Sequence, residues 1–102
     1  MKLRLLAQAE EEAEQAAHWY EDRKDGLGFD FLDALTRGLE KIEQNPQSYA
    51  LTETLQATRE VRQFLLGRFP FAIIYELRSD EVLVLAIAHV RRRPDYWKRR
   101  RG

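Results

Sequence analysis

The spacing of apolar residues changes from helical to strand-like near the middle of the chain. A short apolar run at residues 3–7 predicts a first strand. From Ala9 to Tyr20, apolar residues recur every three or four positions with glutamates between them, which indicates an amphipathic helix. The glycine-containing stretch at residues 25–28 predicts the end of this helix, because glycine readily adopts the left-handed conformation that follows a helix end.

A second apolar stripe at helical spacing follows, formed by Phe31, Leu35, Leu39 and Ile42. Pro46 predicts where this helix ends, since the residue before a proline is pushed out of the helical region. Because so few residues separate the two helices, we expect them to form an antiparallel hairpin.

The second half of the chain has a period of two. After a loop at residues 46–58, strands are predicted at residues 59–66, 69–77 and 82–88. The last of these is apolar on both faces, which is typical of a central strand. The predicted fold is therefore α+β in the order β-α-α-β-β-β. An antiparallel helix hairpin packs on one face of a small, mainly antiparallel sheet, and a short basic segment ends the chain.

The opposite face of this sheet has no predicted helix to cover it. Residues 94–100 are the remaining segment that can reach it, and we expect Trp97 to pack back onto that face. A partner protein or a second copy is expected to cover some of the rest, because small proteins rarely leave a large apolar surface exposed.

The length and composition of the chain exclude several classes of protein. The 102 residues are expected to form one domain, residues 1–102. The absence of cysteine excludes disulfides, thiolate nucleophiles and cysteine-bound zinc, and two distant histidines predict no metal site, so no cofactor is expected. The longest apolar run has the length of a strand, and the first residues lack the pattern of a signal peptide. We therefore expect a cytoplasmic protein with no membrane partner.

A net charge of zero hides a strong polarity between the two halves of the chain. Residues 1–58 carry six basic and twelve acidic side chains, a net charge of −6. Residues 59–102 carry eleven basic and five acidic side chains, a net charge of +6. Such polarity suggests an acidic or nucleic-acid partner for the basic half, or attraction between the two halves within the fold.

Five short segments, in this order along nearly the whole chain, resemble the RelE/ParE superfamily of bacterial toxins. They are AAHWYE at residues 16–21, GLGFDFL at 26–32, IEQNP at 42–46, RFPF at 68–71, and AH at 88–89 leading to RPDYW at 93–97. No single segment is specific, and their order carries the match. The resemblance is to the ParE-like plasmid-stabilisation branch of type II toxin–antitoxin systems.

The resemblance implies a toxin that is neutralised by a cognate, ParD-like antitoxin in a hetero-oligomer. Its fold carries two mechanisms, since RelE-like members cut mRNA on the ribosome and ParE-like members poison DNA gyrase. An antitoxin segment would lie in the groove beside the helix hairpin. Phe29 and Leu32, which flank the apolar stripe of the second helix, are the candidate antitoxin contacts.

Metal-independent RNA cleavage needs a base, an acid and a cation for the developing phosphorane charge. The candidate residues for that chemistry are His89, Arg62, Arg68 and Tyr96. RelE-like nucleases carry an arginine on the third strand where this chain has Ala72. RelE-like nucleases also carry lysines on the second strand, where this chain has Arg59 and Arg62. Arginine transfers protons poorly because it stays charged.

These departures favour a gyrase inhibitor without turnover of its own over a ribosome-dependent mRNA endonuclease. A third hypothesis is a binding protein that keeps the toxin fold without toxicity. The candidate contacts with the target or with nucleic acid are Arg59, Arg91, Arg92, Arg93 and Trp97. Two alternative interpretations of the arginine run are an ion pair with an acidic antitoxin segment and a solvated tail.

Overall fold

The computed structural model describes residues 1–52, 58–93 and 95–102. The elements, in chain order, are β1 (Lys2–Leu5), α1 (Ala7–Arg23), α2 (Leu27–Gln44), β2 (Ala50–Leu51), β3 (Glu60–Leu65), β4 (Phe71–Leu77), β5 (Glu81–His89) and α3 (Asp95–Lys98). The predicted α+β fold is confirmed. The predicted loop at residues 46–58 lies partly outside the described residues, and its described part contains the additional short strand β2.

The five strands form one sheet in the order β1-β5-β4-β3-β2. β1 runs parallel to β5, and the other neighbours are antiparallel. Every residue from Val82 to Ala88 is buried, as the run of apolar residues predicted. β5 is therefore an interior strand, between β1 and β4, and both faces of the sheet need a cover.

The helix hairpin covers one face, which we call the helix face. Phe31, Leu35 and Ile42 of α2 are buried there, as are alanines of α1. Alanine lets α1 approach the sheet closely, while the large side chains of α2 fill the space beside β4. The predicted stripe is confirmed, with Leu39 only partly buried at its edge.

Gly28 has a different role from the one the sequence predicts. The turn between the helices depends on Gly26, which has a φ of +86° and precedes α2. Gly28 instead lies inside α2, where a Cβ atom would come within 2.4 Å of the carbonyl oxygen of Ala17. It is thus a helix-packing residue, and any side chain there would push the two helices apart.

The C-terminal segment, which we define as residues 95–102, covers the opposite or second face. Trp97 is 4% exposed and packs with Val61, Ile74 and Leu85. The prediction that Trp97 packs back onto the sheet is confirmed. The sequence did not predict that its surroundings form the short helix α3.

A bulge in β5 changes which side chains face the helices. Ile74 pairs with Ala86 and Tyr75 pairs with Val84, so Leu85 has no opposite residue on β4. Neighbouring residues of a strand normally point to opposite faces. The extra residue Leu85 therefore shifts this alternation by one position in the part of β5 that follows it. Ile87 and His89 consequently lie on the helix face.

Candidate functional site

A cleft of about 440 Å³ opens between α1 and the end of the β4–β5 hairpin. Trp19 and Tyr20 line its α1 side, Phe71 and His89 line its sheet side, and Arg92 stands at its rim. Trp19 is 52% exposed, and the guanidinium carbon of Arg23 lies 4.0 Å from its ring centroid. The cleft therefore presents mainly apolar surface beside cationic side chains, which suits an amphipathic or acidic protein segment.

The cleft exists because β1 is shorter than β5. The pairing of β1 with β5 ends where the Leu6 amide donates a 3.0 Å hydrogen bond to the Val84 carbonyl. Beyond that point, side chains satisfy the outer edge of β5. The Arg100 guanidinium donates to the Leu85 carbonyl at 2.9 Å, and the Ile87 amide donates to the Glu12 carboxylate at 3.1 Å.

Glu12 and Arg100 also bind each other. Two guanidinium nitrogens of Arg100 contact the two carboxylate oxygens of Glu12 at 3.0 and 3.1 Å, in a bidentate pair. Both side chains are largely buried, with 14% and 16% of their surface exposed. Arg92 approaches the same carboxylate at 4.0 Å. Glu12 thus joins α1, the edge of β5 and the C-terminal segment.

Tyr96 lies beneath these two arginines. The guanidinium carbons of Arg92 and Arg100 are 3.7 and 5.0 Å from its ring centroid. Burial, with the negative charge of Glu12, raises the pKa of Tyr96 to about 12. Its hydroxyl is buried without a hydrogen bond of good geometry in the described part of the chain. The phenol therefore stays neutral at physiological pH and is shielded from an incoming substrate.

His89 lies at the cleft, half-buried, with its ring 5.2 Å from that of Phe71. Its Nδ1 atom accepts a 3.1 Å hydrogen bond from the Arg91 amide. This bond shapes the turn that follows β5 and leaves the other ring nitrogen for a partner.

Arg62 is distant from His89. His89 is opposite Phe71 at the start of β4, and Arg62 is opposite Tyr75 near its other end. Four residues of an antiparallel strand span about 13 Å, so these two side chains start far apart even before the sideways spacing is added. Arg62 pairs with Glu60 at 2.8 Å and donates to the carbonyl of Tyr49 at 2.5 Å.

Arg68 lies in the β3–β4 turn and pairs with Asp30 of α2 at 3.3 Å, with both groups exposed. Tyr96 packs with the second face, whereas His89 and Arg62 lie on the helix face. The four residues proposed for a nuclease therefore lie in different surroundings, and no contact joins any two of them within the described ranges.

Two of the predicted target contacts are interior side chains. Arg59 is 8% exposed, makes a two-point ion pair with Glu76 at 3.1 and 3.2 Å, and donates to the carbonyls of Lys98 and Arg100 at 2.8 and 3.0 Å. Trp97 is buried on the second face. Arg59 and Trp97 thus hold the C-terminal segment in place and present no side chain to a partner.

Other arginines remain accessible. Arg91, Arg93, Arg99 and Arg101 are exposed and form no ion pair with any residue in the described ranges. We call these four the basic rim. Part of the basic half of the chain therefore pairs with the acidic half, since Arg92 and Arg100 contact Glu12 of α1. The basic rim, in contrast, faces solvent.

Phe29 and Leu32, the predicted antitoxin contacts, lie on α2 and are 78% and 42% exposed. They are three residues apart and so share one side of the helix. Phe29 is largely uncovered and Leu32 is partly so, which leaves apolar surface available to a partner.

Sequence reasoning did not single out Glu12 or Arg100. They are 88 positions apart, and each belongs to a run of like charges in which no member stands out. One signal in the sequence was available. Glu12 follows Ala9 by three positions and precedes Ala16 by four, so it lies on the same buried side of α1 as these two alanines.

In the parts of the chain that are described, no helix has the length and apolar character needed to cross a bilayer. The same residues contain no cluster of histidine and acidic side chains arranged to hold a metal ion.

Comparison with known proteins gives a family and a fold. No curated protein matches the chain significantly. A solved structure described as the chromosomal ParDE TA system from P. aeruginosa is similar, with a TM-score of 0.71 and 18% sequence identity, over 87% of this chain and 95% of that one. At this identity the likeness establishes the fold. Residues 3–94 match the family described as the ParE toxin of the type II toxin–antitoxin system parDE, and the chain therefore belongs to the ParE toxin family.

Proposed function

We propose that this type II toxin inhibits DNA gyrase and is neutralised by a cognate, ParD-like antitoxin. In this proposal the protein stabilises a gyrase–DNA intermediate and performs no turnover of its own. Membership of the ParE family supports the proposal, since the resemblance to its ParE-like branch implies gyrase as the target. The cytoplasm, where gyrase and DNA are found, is the compartment that this function requires.

The observation that carries the proposal over the alternative mRNA endonuclease is the separation of the candidate nuclease groups. His89 and Arg62 lie at opposite ends of the helix face, and Tyr96 packs, partly buried, against the second face. General acid–base cleavage requires the acid and the base within hydrogen-bond reach of the same phosphodiester. These residues do not provide that arrangement.

The test compares purified gyrase with programmed ribosomes. We expect the toxin to block supercoiling and to accumulate cleaved gyrase–DNA complexes, and to leave ribosome-bound mRNA intact. His89→Ala and Tyr96→Phe should each change the inhibitory concentration only a few-fold, because neither group is needed for proton transfer. Ribosome-dependent mRNA cleavage that falls by orders of magnitude in either variant would contradict the gyrase proposal.

Truncation after Arg93 is expected to reduce gyrase inhibition more than either point variant. It removes two arginines of the basic rim together with Trp97, which covers the second face. Far-UV circular dichroism of the truncated chain separates loss of fold from loss of target contact. A folded truncated chain with full inhibition would exclude the C-terminal segment from the target surface.

The antitoxin part of the proposal rests on Phe29 and Leu32. A protein segment that covers these side chains would gain the burial energy that the free toxin forgoes. The double variant Phe29→Ser with Leu32→Ser should weaken the toxin–antitoxin complex at least tenfold in a titration. Leu51→Ser is the matched control, because Leu51 is 63% exposed on β2. Equal affinity of the double variant and the control would contradict this surface.

A further inference from the structure

The two arginine runs of the C-terminal region, residues 91–93 and 99–101, share one arrangement. In each run the middle arginine, Arg92 or Arg100, reaches the Glu12 carboxylate and the Tyr96 ring, although Arg92 remains 58% exposed and Arg100 is largely buried. The flanking arginines are the four members of the basic rim. The fold therefore brings two runs that are separate in sequence around a single centre.

The centre itself contains an acidic group, whereas its surroundings do not. The carboxylate of Glu12 offsets part of the charge of Arg92 and Arg100. The basic rim has no acidic partner among the described residues and keeps its four charges in solvent. Four unpaired guanidinium groups that flank this centre attract a polyanion, even though the whole chain has a net charge of zero.

The aromatic side chains of this region indicate which polyanion. Tyr96 is covered by Arg92, and Trp97 is packed on the sheet, so neither ring is offered for stacking with an unpaired base. Proteins that bind single strands combine cations with exposed aromatic rings. Because the two rings of the C-terminal segment are covered, the arginines beside them suit the phosphates of a duplex, which are contacted without regard to base sequence.

We propose that the basic rim binds the phosphate backbone of duplex DNA. The inference deepens the proposed function and rests on it for the choice of DNA over duplex RNA. A gyrase inhibitor that holds a gyrase–DNA intermediate would contact both components, and the basic rim supplies the contact with DNA.

The test measures binding of the purified full chain to a short duplex of mixed sequence over a range of salt concentrations. Four phosphate contacts predict that the logarithm of the affinity falls with the logarithm of the salt concentration with a slope of about −3 to −4. Between 50 and 200 mM salt the affinity should therefore fall by about 100-fold.

Matched variants assign the binding to the basic rim. Arg91→Gln with Arg93→Gln removes two charges from one run, and Arg99→Gln with Arg101→Gln removes two from the other. Each pair should reduce the salt slope by about two. The control, Arg37→Gln with Lys41→Gln, removes two exposed charges from α2 and should leave the slope unchanged.

Three results would overturn the proposal. They are no duplex binding at 50 mM salt, equal losses in the α2 control, or tighter binding to a single strand than to the duplex. Gyrase inhibition by the same variants is measured separately. Loss of DNA binding with gyrase inhibition retained would refute the role of the basic rim and leave the gyrase proposal standing. Duplex binding without gyrase inhibition would do the reverse.

Discussion

The two faces of the sheet are covered in different ways. On the helix face, two long helices bring together a cluster of aromatic rings in which the centroid of Phe31 lies 5.1 to 5.4 Å from those of Tyr20, Phe69 and Phe71. On the second face, eight residues place one tryptophan against the sheet and are held by arginine hydrogen bonds.

The two covers are expected to differ in the free energy needed to open them. Apolar burial between long elements is cooperative and costly to undo, so the helix face should remain closed until the chain unfolds. A short segment fixed by one buried tryptophan and a few polar contacts can open on its own at a lower free energy. The basic rim is carried partly by that segment, so the function proposed here lies on the less stable of the two covers.

The largest effect is expected from Phe31→Ala on the helix face. Phe31 is fully buried, and its removal leaves a cavity among three other rings, which should lower the free energy of unfolding by about 4 kcal/mol. Chemical denaturation measures this loss. Phe29→Ala is the matched control, and it should change stability by less than about 0.5 kcal/mol because Phe29 is 78% exposed. Similar losses in the two variants would contradict the assignment of the core.

Trp97→Ala should have a smaller effect, about 3 kcal/mol, because the chain can respond by releasing the C-terminal segment while the helix face stays intact. Hydrogen exchange provides the measurement. Protection should be lost at residues 95–102 and retained in α1 and α2. The control, Trp19→Ala, truncates a ring that is 52% exposed and should leave protection of the C-terminal segment unchanged. Uniform loss of protection in Trp97→Ala would mean that the two covers are not separable.

Arg100→Gln should cost about 2 kcal/mol, because it leaves the Glu12 carboxylate without its two-point partner at a mostly buried position. Trp19→Phe supplies the background, in which Trp97 is the remaining tryptophan and its emission reports docking of the C-terminal segment. In Arg100→Gln on this background, we expect the emission of Trp97 to shift to the red at denaturant concentrations where far-UV circular dichroism still reports intact helices. The control is Arg99→Gln, which changes the exposed residue next to Arg100. In this control and in the background itself, the emission of Trp97 and the far-UV circular dichroism should change at the same denaturant concentration.

The smallest effect concerns pH. Burial would raise the pKa of Glu76, but the hydrogen bonds and charge of Arg59, with the charge of Arg78, hold that pKa below its ordinary value of 4.5. A lowered pKa means that the carboxylate contributes stability above pH 4.5, and that this contribution is lost as the pH falls through the folded-state pKa. Glu76→Gln should therefore lose less stability than the wild type between pH 5 and 3. Parallel pH profiles would show that the pair contributes nothing.

The sequence was sufficient to predict the fold where a periodic pattern extends over many residues. The α2 stripe and the apolar run of β5 each determine an element and its buried side. The strand β2 was missed because two residues cannot show a period. The bulge at Leu85 was missed because it changes the hydrogen-bond pairing without changing the apolar character of β5.

The candidate site was less predictable. His89, Arg62, Arg68 and Tyr96 were grouped by their chemistry, whereas strand register and face decide which side chains meet. The packing of Trp97 was predictable, since a sheet with an open face needs a large apolar cover, but its assignment to the target contacts was wrong because the ring is buried. The bond between Glu12 and Arg100 was not, because it depends on β1 ending before β5 does.

The measurement that tests the gyrase proposal most directly is a pulse induction of the toxin alone in bacteria, followed over the first minutes by incorporation of labelled precursors into DNA and into protein. Inhibition of gyrase predicts that DNA synthesis falls first, while protein synthesis continues. A prior fall in protein synthesis would contradict the proposal and identify mRNA as the target. Undisturbed synthesis of both would show that this member of the family keeps the fold without the toxic activity.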